Sequence, residues 1–102
     1  MVHSIKNRHR AAIIEVIADN EKVERAVLFG SRAMRSNTVT SDVDIALFGN
    51  ALTFKDYARL KEALENIPMA QSVDLVIFKD IDHQPLIEHI KTFGVEWYRR
   101  EA

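Results

Sequence analysis

Three short apolar runs, Ala26–Phe29, Ile45–Phe48 and Leu75–Phe78, alternate with stretches whose apolar residues recur at helical spacing. That alternation restricts the fold more than any other feature, because it demands a sheet with helices laid against it. Ser4–Asn20 carries Ile5, Ala12, Ile13, Val16 and Ile17 behind a Ser4 cap and is expected to be an amphipathic helix. Glu24–Phe29 is the first strand, stopped by Gly30. Ser31–Arg35 then makes a helical turn and Ser36–Ser41 a connecting loop, before a second strand over Asp42–Phe48 that ends at Gly49-Asn50. Thr53 caps a helix with a buried stripe of Phe54, Tyr57, Leu60, Ala63, Leu64 and Ile67, and Pro68 stops it. Ser72–Phe78 is a third strand, Asp82–Lys91 a helix with Pro85 in its first turn, and Val95–Tyr98 a last short strand or frayed end. This order predicts an α/β (α+β) fold, a small mixed open sheet with flanking helices, in a single domain spanning residues 1–102 with no repeat or linker.

Charge and residue usage narrow the function. A chain of 102 residues has room for one core. Its 14 Lys and Arg against 15 Asp and Glu leave a net charge of -1, without the positive field that a non-specific nucleic-acid binder needs. No direct nucleic-acid partner is therefore expected. The absence of cysteine removes disulfides, thiolate zinc sites and cysteine nucleophiles, and a reducing cytoplasm fits. The apolar runs are far shorter than the ~20 residues needed to cross a bilayer, and Met1–Arg10 lacks an apolar signal core, so a cytoplasmic location without membrane contact is expected.

The informative string is Gly30-Ser31, ten residues, then Asp42-Val43-Asp44. Residues two apart in a strand face one side, so Asp42 and Asp44 share a surface while Val43 and Ile45 point away. At ~7 Å and an effective dielectric of ~20, the two charges repel by roughly 2–3 kcal/mol, which a divalent cation would reverse. Oxygen ligands without histidine or cysteine nearby favour Mg²⁺ or Mn²⁺, and Mg²⁺ commonly binds one or two carboxylates plus substrate phosphates. Asp74, between Val73 and Leu75, adds a third carboxylate to the same face if the third strand lies beside the second, and three acids suffice for two metal ions. Gly30 lets the backbone approach a triphosphate with free N–H groups, Ser31 adds a hydroxyl, and Arg32 and Arg35 offer guanidinium groups to the phosphates. The string is not a Walker loop, since the second glycine and the lysine are missing.

In these residues, Gly30-Ser31-Arg32-Ala33, Ser41-Asp42-Val43-Asp44-Ile45 and Val73-Asp74-Leu75, the chain resembles the minimal nucleotidyltransferases of the DNA polymerase beta superfamily, across nearly its whole length in element order. It departs at Ser36, where many relatives have a glycine. The resemblance implies a nucleotidyltransferase-like fold and transfer of AMP from ATP, with Asp42 and Asp44 holding Mg²⁺ and Asp74 completing the site and helping to deprotonate the acceptor hydroxyl. Larger relatives carry a helical domain that grips the acceptor. With the chain ending at Ala102, the expected holder is another polypeptide or a second copy. Similar small members are encoded beside a helical HEPN-domain protein, a toxin-like ribonuclease, and resemble its antitoxin, some adenylylating a partner tyrosine. The resemblance thus implies a hetero-oligomer with a HEPN-domain protein, and a homodimer is left open.

Two other functions stand beside this one: an antitoxin that neutralises a helical partner by covering it, and nucleotidyl transfer to a small molecule, which the short chain has little surface to enclose. Residues with ordinary structural roles are also marked. His3, His9, His83 and His89 lack metal-ligand spacing and are expected at the solvated surface. Tyr57, Trp97 and Tyr98 are expected to be core or interface anchors, and Arg99-Arg100 a frayed terminus.

Overall fold

The computed structural model describes residues 7–30 and 42–101. Helix α1 (Asn7–Ala18) leads into strand β1 (Arg25–Phe29), followed by β2 (Val43–Phe48), α2 (Phe54–Glu65), β3 (Val73–Ile77), a 3-10 turn (Phe78–Asp80), α3 (Gln84–Phe93) and β4 (Val95–Arg99). The expected Ser4 cap, the helical turn at Ser31–Arg35 and the loop at Ser36–Ser41 lie outside the described residues. The four strands form one mixed sheet in the order β3-β2-β1-β4. β1 runs antiparallel to both β2 and β4, whereas β2 and β3 are parallel because α2 carries the chain back between them.

Strand alternation sends the side chains to two separate cores. Ala26 and Leu28, then Val43, Ile45 and Leu47, then Val73, Leu75 and Ile77, together with Trp97, form one face with Ile13 and Ile17 of α1 and Leu60 and Leu64 of α2. The opposite face, Val27, Phe29 and Ala46 with Phe48 and Val76, packs on Ile90 and Leu86 of α3. Because the first face is covered by two helices and the second by one short helix, the second leaves strand positions near its rim open to solvent. Asp44 and Asp74 occupy this face, alternating with the buried Val43, Ile45, Val73 and Leu75.

Thr53 caps α2 in a capping box, with its hydroxyl accepting the Asp56 N–H and the Asp56 carboxylate accepting the Thr53 N–H. Pro85 sits in the first turn of α3, which runs two residues later at both ends than the apolar pattern predicts. Phe78 leaves the third strand for the 3-10 turn, where its ring stacks on Phe48 at 4.4 Å. Trp97 is buried with the Arg10 guanidinium 5.0 Å above its ring, while Tyr57 and Tyr98 pack at the margin of the larger core.

The C-terminal stretch is not frayed. β4 extends through Arg99, in register with Arg25, and the Arg100 guanidinium donates to the carbonyls of Ala18, Asn20 and Val23. The bond to Ala18 satisfies a carbonyl that the end of α1 leaves without a helical partner, and the other two tie Arg100 to the turn before β1. Among the described residues, no helix is long and apolar enough to cross a membrane.

Candidate active site

The pairings of β2 with β1 and with β3 place Phe29, Asp44 and Asp74 side by side in one row across the three strands. Neighbouring strands lie ~4.7–4.9 Å apart, so Asp44 and Asp74 start from backbones closer together than the ~7 Å that separates every second residue of one strand. Asp44 is half-buried between its neighbours, and Asp74, on the edge strand, has a side chain 53% exposed. Lys61 reaches Asp74 from α2, its Nζ 4.0 Å from Oδ1, an exposed ion pair that supplies only weak compensation. Asp42 stands one residue ahead of β2 and is exposed; the bond from the Val43 N–H to the Ser72 carbonyl opens the pairing of β2 with β3 just after it.

Gly30 follows β1 directly with φ at +78°, a left-handed conformation that side chains with a Cβ rarely adopt. A Cβ built there would also overlap the Asp44 carboxylate. Glycine is thus favoured twice, by the turn and by the space that the Asp44 carboxylate fills. Its N–H is not free, contrary to the expectation for a phosphate-binding turn, since it donates to Nε2 of His89 at 2.9 Å.

The expected nucleotide-binding residues therefore divide. Gly30 is placed against Asp44, whereas Ser31 and Arg32, with Arg35, lie outside the described residues. Of the expected metal-binding carboxylates, Asp44 and Asp74 are brought together in register and Asp42 sits at the mouth of β2. Among the described residues, no three Asp, Glu, His or Cys side chains stand together as a group able to hold a metal ion. The Asp44–Asp74 pair nevertheless suits Mg²⁺, which commonly takes one or two carboxylates and completes its octahedron with water and substrate phosphates.

His89 is the residue that spacing alone missed. It is half-buried on α3 rather than solvated, with its ring edge-on to Phe29 at 6.2 Å and tilted against Phe93 at 5.4 Å. The available signal was positional: Leu86, Ile90 and Phe93 lie three before, one after and four after it, so His89 borders the apolar stripe of its helix.

A cavity of about 520 Å³ lies away from this row, between α1 and α2, lined by Asn20, Lys22, Asp56 and Arg59 among others. Its principal polar groups are committed to one another. Asp56 accepts from Thr53, from the Asn20 amide at 3.2 Å and from Lys22 Nζ at 3.2 Å. The Thr53 backbone N–H foremost, then its hydroxyl, with Asn20 and Lys22, hold the Asp56 carboxyl well below the usual carboxylate range. These are the bonds of a structural junction that ties the end of α1 to the start of α2.

The family model described as "Polymerase beta, Nucleotidyltransferase" matches residues 11–102. A Methanocaldococcus jannaschii protein named "Putative protein adenylyltransferase MJ1379" is 33% identical over 90 residues, 85% of this chain and 84% of that protein. Among solved structures, the crystal structure of a toxin–antitoxin with AMP-PNP aligns with a TM-score of 0.74 at 26% identity, covering 90% of this chain and 74% of the other. A chain of the complex described as tri-AMPylated Shewanella oneidensis HEPN toxin with MNT antitoxin shares the fold, with a TM-score of 0.71 at 23% identity and coverage of 94% of this chain and 74% of that one.

Proposed function

The chain belongs to the polymerase beta nucleotidyltransferase family, and from that premise we propose that it transfers AMP from Mg²⁺-ATP to a tyrosine hydroxyl of a HEPN-type helical partner, as the antitoxin of a toxin–antitoxin pair. The observation that carries this reading is the Asp44–Asp74 pair in register across β2 and β3, beside a glycine turn that admits no side chain. Two adjacent carboxylates at an open rim are costly in an unliganded sheet and useful where a cation and a triphosphate meet.

Asp42, Asp44 and Asp74 are the proposed ligands of Mg²⁺. When bound, the metal neutralises the triphosphate and favours ionisation of the acceptor hydroxyl. Gly30, Ser31 and Arg32 are the proposed triphosphate contacts, with Gly30 giving room and the other two giving donors. Asp74 is the most exposed carboxylate of the pair and faces an incoming acceptor, whose proton it takes as the acceptor oxygen bonds to the α-phosphorus and the bond to pyrophosphate breaks. A protein acceptor is supported by the M. jannaschii relative named "Putative protein adenylyltransferase MJ1379" at 33% identity, and a toxin–antitoxin setting with an ATP-like substrate by the toxin–antitoxin with AMP-PNP at 26%.

The test is transfer of label from α-labelled ATP, with Mg²⁺, to the product of the adjacent reading frame. We expect labelling by the native protein and its loss, by at least ~100-fold, in Asp42→Asn and in Asp44→Asn. Equal labelling by native and substituted proteins overturns the assignment. Neutralisation of the partner's toxicity that survives Asp42→Asn and Asp44→Asn together would favour an antitoxin that acts by covering.

A further inference from the structure

The β1–β2 register ends at Phe29, opposite Asp44, so Gly30 is the first residue beyond the sheet ladder. Its N–H is held by a side chain 59 positions away, the Nε2 of His89 on α3, at 2.9 Å. The bond uses the lone pair of Nε2, so the imidazole acts here as acceptor and the Gly30 amide as donor. The ring is oriented as well as paired, because Phe29 meets it edge-on and Phe93 lies against its other neighbourhood one helical turn along. Leu86 and Ile90 anchor the same helix to the sheet face that displays Asp44 and Asp74. The turn that opens the Gly30-Ser31 string is therefore fixed to α3 as well as to its own strand.

We propose that His89 is a positioning residue, which fixes the Gly30 turn in its left-handed conformation beside Asp44 and thereby sets the affinity of the site for a nucleoside triphosphate. This rests on the reading of the site as a nucleotidyltransferase centre. Binding to a turn already held in place costs less ordering than binding to one that must first be fixed. Removing one neutral hydrogen bond that holds the turn translates into roughly 3–10-fold weaker binding.

The discriminating experiment measures the dissociation constant of Mg²⁺-ATP for the native protein, His89→Leu, His89→Ala and His89→Gln by calorimetry, with circular dichroism to monitor the fold. Leu fills space between Phe29 and Phe93 without an acceptor, whereas the Gln carbonyl oxygen stands near the position of Nε2. We expect 3–10-fold weaker binding for His89→Leu and His89→Ala and recovery to within twofold for His89→Gln. If His89→Ala unfolds, the comparison of Leu with Gln alone decides. Native affinity in His89→Leu, or a Gln variant as weak as the Leu variant, overturns the positioning role while leaving the active-site assignment standing. A native protein that binds no Mg²⁺-ATP overturns that assignment and this inference with it.

Discussion

A methyl group at Gly30 would have to occupy the space of the Asp44 carboxylate while holding a positive φ. Gly30→Ala is therefore expected to cost about 1–2 kcal/mol from the backbone alone, before any displacement of Asp44. Melting should fall and AMP transfer should fall at least ~10-fold, the two being read by calorimetry and by label incorporation. Retention of both would mean that the turn relaxes freely. Gly30, Asp44 and Asp74 were legible in the sequence because a glycine ending an apolar run and acids alternating with apolar residues are local patterns. His89 was not, since what gives it a role is an amide 59 positions away, and no local period encodes that distance. Arg100 is the same case: its three carbonyl partners lie 77 to 82 positions earlier.

At the scale of elements, α2 was legible at its cap, because Thr53 and Asp56 carry their capping chemistry within four residues, whereas Phe54, expected in the buried stripe, is 80% exposed and Ile67 lies beyond the helix end. Thr53→Ala should cost about 1 kcal/mol, which for a domain of this size lowers the melting temperature by roughly 4–8 °C. The same junction makes stability depend on pH. The Asp56 carboxyl is depressed in the folded protein from its ordinary value of 3.8, chiefly by the Thr53 N–H. A depressed carboxyl contributes stability that is present above the unfolded value and lost as pH falls below it toward the folded value. The gap in melting temperature between the native protein and Asp56→Asn should therefore be full at pH 6 and shrink below about pH 4. Thermal melts of both proteins across that range check it, and a gap that is constant with pH would show that the charge of Asp56 is irrelevant. The C-terminal strand was the harder element to read, because Val95–Arg99 is short and carries charges at Glu96 and Arg99, which pair with each other at 2.9 Å, Glu96 also binding Arg25 of β1 at 2.7 Å. Strand pairing with β1, rather than local propensity, decides its conformation.

Across the whole molecule, the row from Phe29 through Asp44 to Asp74 exists only when β1, β2 and β3 are assembled. A ligand that needs all three strands binds the folded chain and not the unfolded one, so its binding energy adds to stability. At a Mg²⁺-ATP concentration a hundred times the dissociation constant, the gain is about 2.7 kcal/mol, or ~10 °C or more in melting temperature for a domain of this size. Asp74→Asn separates this gain from the intrinsic cost of the site. The substitution gives up only a weak exposed contact with Lys61 at 4.0 Å. In chelator the variant should therefore melt close to the native temperature, whereas in Mg²⁺-ATP it should lose most of the native shift. That difference is the mark of a carboxylate that serves binding rather than stability. If Asp74→Asn instead melts several degrees lower in chelator and still gains the full shift with Mg²⁺-ATP, the carboxylate supports the edge strand rather than the ligand.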